Sequence, residues 1–586
     1  MGDERPVRPE EPVRGELRRE RSRTTGTARL RADKRGQGQW VLGYMEPLNA
    51  AERTKRDDDG LNVRARIETI YAKKGFRSID KADLRQRFKW WGLYTQRKQG
   101  VPPGMTPVSA EPEELEDEHF MLRIRIPGGL LTSEQLRAIA WVSERFGRDV
   151  ADVTDRQNVQ LHWIRIEDVP RIWEHLEAVG ITTGMACGDV PRNVLGCPLA
   201  GIDASEILDA TPQVLAVHER SLDPAFSNLP RKYKTAISGC THQCAQHEIN
   251  CISFVGVDHD GAKGYDLWVG GGLGPNPHLA QRLGAFVEPD RVAEVWTGVT
   301  TLFRDYGYRR VRNRARLKFL VADWGAERFR ETLEREFLSA PLPDGPAPPP
   351  AATKQRDHLG VGRQHDGLAY VGFAPRAGRI PGSQLRRLAE FADEFGKGRI
   401  RTTTQQKLVL LDVEQARADE AVAALEHEDM RVNASPFRRG TMACTGIEFC
   451  KLALAETKMR AQYIYTELEE RLPGFDEDIR INVNGCPNSC ARFQIADIGL
   501  MGCAMTRPDG VKTDGFLIHL GGGLGEESAF GRKVRGVRVY AEEALDYVET
   551  LIRRYLAHRN GERSFGEYVN ALDDKALARF AEPARR

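Results

Sequence analysis

Five blocks of this 586-residue chain occur twice, in the same order and about 250 residues apart. LTSEQLRAIAWVSERFG (131–147) returns as IPGSQLRRLAEFADEFG (380–396), and VTDRQNVQLHWI (153–164) as IRTTTQQKLVLL (400–411). MACGDVPRNVLGCPLA faces MACTGIEFCKLALA, ISGCTHQCAQHEINCISFVGV faces VNGCPNSCARFQIADIGLMGC, and LWVGGGLG faces LIHLGGGLG. One long repeat in register is a duplicated fold and not a solenoid of many short units, so two pseudo-equivalent lobes are expected. Between them lies PLPDGPAPPPAATKQRD, residues 341–357, which opens with six prolines in ten residues and so forbids helix and sheet interiors. The lobes then span 37–340 and 358–586. They follow a tail, residues 1–36, so poor in large apolar side chains that it is expected to be disordered.

Each lobe opens with alternating strands, an amphipathic helix such as 133–146, and another strand. That order predicts an α+β fold of antiparallel sandwiches in preference to a doubly wound parallel sheet. In the strand MLRIRI, Arg123 and Arg125 share one face, for anions or solvent, while Leu122, Ile124 and Ile126 face the core. With 86 basic and 84 acidic residues, net charge gives no reason to expect a nucleic acid or an anionic membrane as partner. No apolar run is long enough to span a bilayer and the N-terminal stretch lacks the apolar segment of a signal peptide, so a cytoplasmic protein is expected. Ten cysteines in such a chain point to ligands and reduced thiols and not to disulfides.

Four of them, Cys444 and Cys450 in TMACTGIEFCK and Cys486 and Cys490 in NGCPNSCAR, read as a single metal-cluster site. Pro487 suits the first position of a helix, which would put Cys486 at its cap and Cys490 one turn on, with helix N–H groups facing anionic sulfur. The first pair reads as a loop bending over the same site around Gly446, and four thiolates are the usual ligands of a [4Fe–4S] cube. A structural zinc ion is the rival, although its pairs commonly sit closer in sequence; unliganded packing cysteines are the plainest alternative. The repeat sets Cys187, Cys240 and Cys244 opposite Cys444, Cys486 and Cys490, with Asn193 in the fourth place. This reads as a degenerate copy unless Cys197 supplies the missing ligand. His242 and His247 beside these cysteines read as packing residues.

These cysteines stand in a twofold-repeated chain that also carries WWGLYTQR, DRQNVQLHW, CGDVPR, PRKYKTAISG and NRARLKFL. Together they make residues 37 to 575 resemble the sirohaem-containing sulfite and nitrite reductases, most closely the ferredoxin-dependent sulfite reductases of actinobacteria. The resemblance implies ferredoxin-like sandwich modules and modules that bind sirohaem and one [4Fe–4S] cluster, the two groups joined through a sulfur shared at Cys490. It implies six-electron reduction of sulfite to sulfide with reduced ferredoxin as donor, or, as the alternative, nitrite reduction to ammonia. It assigns Arg123, Arg192, Lys232 and Lys234 to the small anionic substrate, and Arg156, Gln157, Asn158, Arg314, Arg316 and Lys318 to the carboxylates of sirohaem. Lys234 stands where related nitrite reductases tend to carry Asn; sulfite can be doubly charged near neutral pH, so the extra cation favours it. Tyr94 and Cys187 match a Tyr–Cys thioether found beside the haem in the actinobacterial enzymes.

Three departures accompany the likeness. Val190 replaces a second cysteine of the CGDC motif, and Cys240, Cys244 and Cys251 have no counterpart in the actinobacterial enzymes. The loops 270–274 and 521–525, GGGLG in each lobe, do not follow the strand–GxGxxG–helix dinucleotide pattern. With no NADPH or flavin domain in view, electrons are expected from a separate carrier docking near Lys451, Lys458 and Arg460 on a monomer. A non-catalytic electron carrier or redox sensor that uses only the cluster is the reading from a different class.

Overall fold

Thr132 starts the first repeated helix. Its hydroxyl accepts from the Gln135 backbone N–H at 3.1 Å while the Gln135 side chain accepts from the Thr132 N–H at 3.1 Å, a reciprocal cap that opens Ser133–Phe146 where the sequence predicts it. Its counterpart, Gly382–Phe395, follows Pro381. The two helices pack so closely that a Cβ on Gly382 would lie 2.7 Å from Ser143 Cβ. The computed structural model describes residues 48–351, 356–559, 561 and 563–583; the tail expected over 1–36 lies outside them, as do residues 352–355 of the proline-rich stretch.

The described strands form four five-stranded sheets. Two are wholly antiparallel, as expected for the opening module of each lobe. The first runs Leu93–Arg97, Glu116–Ile124, Val159–Ile164, Ala151–Val153 and then Arg379–Ile380, whose last strand comes from the second half of the chain. The second runs Gly360–Arg363, Ala369–Phe373, Leu408–Val413, Arg399–Thr402 and then Leu130–Thr132, a strand from the first half. Each half therefore completes the other's sheet, and one apolar core joins Leu122, Ile124 and Ile139 to Leu385, Leu388 and Leu410.

The other two sheets are mixed, and each has its own core. In the first half Pro191–Leu195, Tyr233–Ser238 and Ile252–His259 run parallel, followed by two antiparallel strands; in the second half Thr441–Ala443, Ile481–Asn484 and Ile498–Thr506 repeat the pattern. Their register corrects the match between the halves. Leu195 pairs with Ala236 and Met442 with Asn482, while Ala236 and Asn482 both stand four residues before the cysteine that follows their strand. Hence Gly196 corresponds to Ala443 and Cys197 to Cys444, not Cys187. A second observation agrees: Gln157 accepts from the Gly196 N–H at 3.0 Å and Gln406 from the Ala443 N–H at 3.1 Å, both glutamines having positive φ (57° and 60°).

Candidate active site

Cys444 and Cys486 leave the ends of neighbouring parallel strands, Thr441–Ala443 and Ile481–Asn484, which brings them to one edge. The Gly485 N–H donates to Cys444 Sγ at 3.2 Å and Thr457 Oγ1 to the Cys444 carbonyl at 2.6 Å. The loop to Cys450 turns at Gly446, whose φ of 69° and position, with a Cβ 2.4 Å from Thr457 Oγ1, leave room for glycine alone. The helix expected after Pro487 is not formed. Residues 486–490 make a turn in which Ser489 adopts φ 57°, tied down by the Ala491 N–H donating to Asn484 Oδ1 at 2.7 Å, and a 3-10 turn follows at Phe493–Ile495. The 486–490 turn therefore offers no helix end of its own, and single N–H groups such as that of Gly485 reach the sulfurs.

Three of the thiols are shifted. Burial first, and then the charge of Cys490, pushes the Cys444 thiol up to about 12, and the same causes push Cys450 and Cys486 up. Thiols packed like this ionise against a cationic centre, so they form a ligand set that fits an iron–sulfur cluster. Cys490 is exposed.

Around Cys490 stand the cations that the sequence singled out. Burial works against the charge of Arg123, but Cys187, Tyr94 and Cys490 outweigh it and hold its guanidinium protonated. Its Nη1 donates to Cys187 Sγ at 2.8 Å, and Gln160 accepts from its Nη2. The Tyr94 hydroxyl bonds to Cys187, and burial, followed by the charge of Cys187, raises it. Arg192 curls back to the Gly188 carbonyl at 2.8 Å. Lys232 is lowered to about 7 by burial and then by Arg231 and Arg316, with Cys490 opposing. Lys234 is lowered further, by burial and then by Arg156 and Arg316. Neither ammonium has a hydrogen-bond partner among the described residues.

The remaining basic residues divide. Arg156 donates to Asn250 Oδ1 at 2.9 Å and the Asn193 carbonyl at 2.7 Å, and its Nε is buried without a partner. Arg314 lies over the Phe319 ring, 4.6 Å from its centroid. Arg316 and Lys318 hold the glycine loop: Arg316 Nη1 donates to the Leu273 carbonyl at 3.1 Å, and Lys318 Nζ to the Gly272 and Leu273 carbonyls at 3.2 Å. Burial and then Arg316 lower Lys318 to about 6. Gln157 uses its whole amide on backbone, donating to Gly128 and Thr402 carbonyls at 2.9 Å, while Asn158 Oδ1 accepts from the Ile126 N–H at 3.2 Å. Through Thr402, Gln157 ties the first half to the second, while Asn158 braces the first half alone.

The family model described as the nitrite and sulphite reductase 4Fe-4S domain matches residues 187–340 and 434–574, and the nitrite/sulfite reductase ferredoxin-like half domain matches 113–179 and 361–428. The chain is 51% identical over 93% of its length to a protein of Mycolicibacterium paratuberculosis named sulfite reductase (ferredoxin) 2, covering 99% of that relative. The chain belongs to the nitrite and sulphite reductase family. A family member of Haloferax mediterranei named assimilatory ferredoxin-dependent nitrite reductase is 36% identical over 91% of this chain and 93% of its own. The solved structure of the Mycobacterium tuberculosis NirA protein superposes with a TM-score of 0.89 at 50% identity, over 93% of this chain and all of that one. No helix among the described residues is long and apolar enough to cross a membrane.

Within this family fold three sequence expectations change. Arg125 does not face solvent: it is 2% exposed and donates to the Met185 and Pro191 carbonyls at 3.2 and 3.1 Å. Lys451 pairs with Glu116 at 3.0 Å and Thr95 Oγ1 at 2.7 Å, and Lys458 is buried against the Ala377 carbonyl at 2.7 Å, so neither is a free docking charge. Arg460 is half-buried. Sequence reasoning also passed over Asp189. Burial opposes its charge, but Arg312 and Lys55 outweigh burial and hold it ionised, and it anchors the 187–192 loop through Arg312 at 2.7 Å and Arg231 at 3.4 Å. An acid placed between Gly188 and Pro191, ahead of a basic RKYK segment, was the available signal.

Proposed function

We propose that this chain reduces sulfite to sulfide with six electrons from reduced ferredoxin; Cys444, Cys450, Cys486 and Cys490 would hold a [4Fe–4S] cluster, and the basic residues around Cys490 would hold the sirohaem beside it. The observation that carries this reading is the pair of unpartnered ammonium groups, Lys232 and Lys234, among Arg123, Arg192, Arg156 and Arg316 beside Cys490. Cations crowded into a half-buried pocket hold down one another's charge, and an entering anion restores it. When bound, the cofactor pair supplies electrons one at a time and an open iron position for the anion. Arg123, held in place by Gln160 and Cys187, and Arg192 orient the anion. Lys232 Nζ, lowered to about 7, is matched to donate a proton as an S–O bond breaks. Arg156 and Arg314 offer guanidinium groups to the sirohaem carboxylates, while Arg316 and Lys318 hold the 270–274 loop against them. The enzyme is placed in the cytoplasm, where free thiols persist, and acts as a monomer.

Nitrite is the second reading, supported by the 36% identical relative named as a nitrite reductase. Steady-state assays with reduced ferredoxin decide between them. The wild type is expected to have the higher kcat/KM for sulfite, and Lys234→Asn to lose about tenfold of that preference, some 1.4 kcal/mol in differential binding. A wild-type preference for nitrite overturns the substrate assignment. Cys490→Ser that keeps both chromophores and turnover overturns the cofactor assignment.

A further inference from the structure

We infer that the first half of the chain holds a structural zinc ion bound by Cys197, Cys240, Cys244 and His358, at the place that the duplication makes equivalent to the iron–sulfur site of the second half. The strand register equates Cys197 with Cys444, and the repeated G-C-x-x-x-C turns equate Cys240 and Cys244 with Cys486 and Cys490. His358, from just beyond the proline-rich stretch, supplies the fourth donor.

Three of the donors converge, and the fourth, Cys240, adjoins them through Cys244. The Cys197 and Cys244 sulfurs and a ring nitrogen of His358 all lie within 4.8 Å of one another. Cys240 Sγ is 3.5 Å from Cys244 Sγ, and Cys197 Sγ is 4.0 Å from His358 Nε2. Zinc bonds of about 2.3 Å to sulfur and about 2.0 Å to nitrogen, at tetrahedral angles, put donor atoms about 3.5–4 Å apart, which is close to the spacing found here. A [4Fe–4S] cube would bind each thiolate at a separate iron corner and spread the sulfurs around itself, whereas these sulfurs leave room between them for one ion.

The surroundings suit a closed structural site. All four residues are 2–3% exposed, and His358 Nδ1 is buried without a hydrogen-bond partner. Leu199, Ile202, Val409 and Leu411 wall the site from water, and the Cys244 N–H lies 3.5 Å from Cys240 Sγ, where it can donate to a thiolate. Binding one Zn²⁺ breaks three S–H bonds, forms three Zn–S bonds and one Zn–N bond, releases three protons to solvent and moves no electron. The resulting single negative charge lies near Arg356, which senses Cys244. The ion joins residue 358 to a lobe whose other ligands lie about 160 residues or less earlier, and so fastens the chain where it leaves the proline-rich stretch.

Metal analysis of the holoenzyme, purified without chelating resin or added metal, tests this. About one zinc is expected per chain alongside about five irons. Cys197→Ser and His358→Ala should each lower zinc at least tenfold while leaving iron content and the visible spectrum unchanged. If either variant misfolds, zinc X-ray absorption of the wild type still decides, with three sulfurs and one nitrogen expected in the first shell. Zinc below about a tenth per chain, about nine irons in place of five, zinc that persists in both variants, or a Cys240–Cys244 disulfide in peptides mapped without reduction each overturns the inference. A zinc-free chain with full iron content and normal turnover would fail it while leaving the proposed function intact.

Discussion

Cys187 lies between a phenol and a guanidinium: the Tyr94 hydroxyl bonds to it, and Arg123 Nη1 reaches its sulfur at 2.8 Å. A thioether between the Tyr94 ring and this sulfur, formed by a two-electron oxidant such as dioxygen that takes up the two hydrogens lost, would hold Arg123 in place. Peptide mapping of the purified enzyme is expected to recover Tyr94 and Cys187 in one linked peptide, two hydrogens lighter than the separate pair; two unlinked peptides would reduce the contact to a hydrogen bond. Much at this scale was legible in the sequence. Lys232 and Lys234 are two apart beside a strand, so alternation alone puts them on one face. Arg125 was misread because alternation gives the face and not what covers it, and here the 185–192 loop covers it. Asp189 went unread because its weight comes from Lys55 and Arg312, each more than 100 residues away in the chain.

The cysteine loop of the second half depends on one glycine. Gly446→Ala puts a methyl into the Thr457 hydroxyl and forces an L-residue to φ 69°, a strain of about 1–3 kcal/mol before any displacement of Cys444 or Cys450. The variant is expected to fold, with a circular dichroism spectrum like the wild type, but to carry well under half its iron. Full iron loading would show that the loop tolerates the shift. Element boundaries explain two misreadings. Pro487 favours a helix start, but the left-handed Ser489 two residues on ends any helix before its first turn. The MAC triplets invited an alignment of Cys187 with Cys444, yet Met185 (φ 51°) sits in a loop ahead of its strand while Met442 sits within one. Hydrogen-bond register, which a sequence does not display, fixes the equivalence.

Across the whole molecule, the duplication was the most readable feature and the exchange of strands the least, since Leu130–Thr132 and Arg379–Ile380 carry no mark of which sheet they join. Cutting the chain within the proline-rich stretch is expected to give fragments that aggregate when made singly, each with an unfilled sheet edge, and that reassemble when coexpressed. A soluble, folded monomer from either fragment alone would contradict that. The exchange has a historical consequence. Two copies that had merely been tethered could have parted again, with one discarded; once each lent the other a strand, loss of either became lethal to both. Interlocked in this way, the two halves stay together while each takes on work of its own.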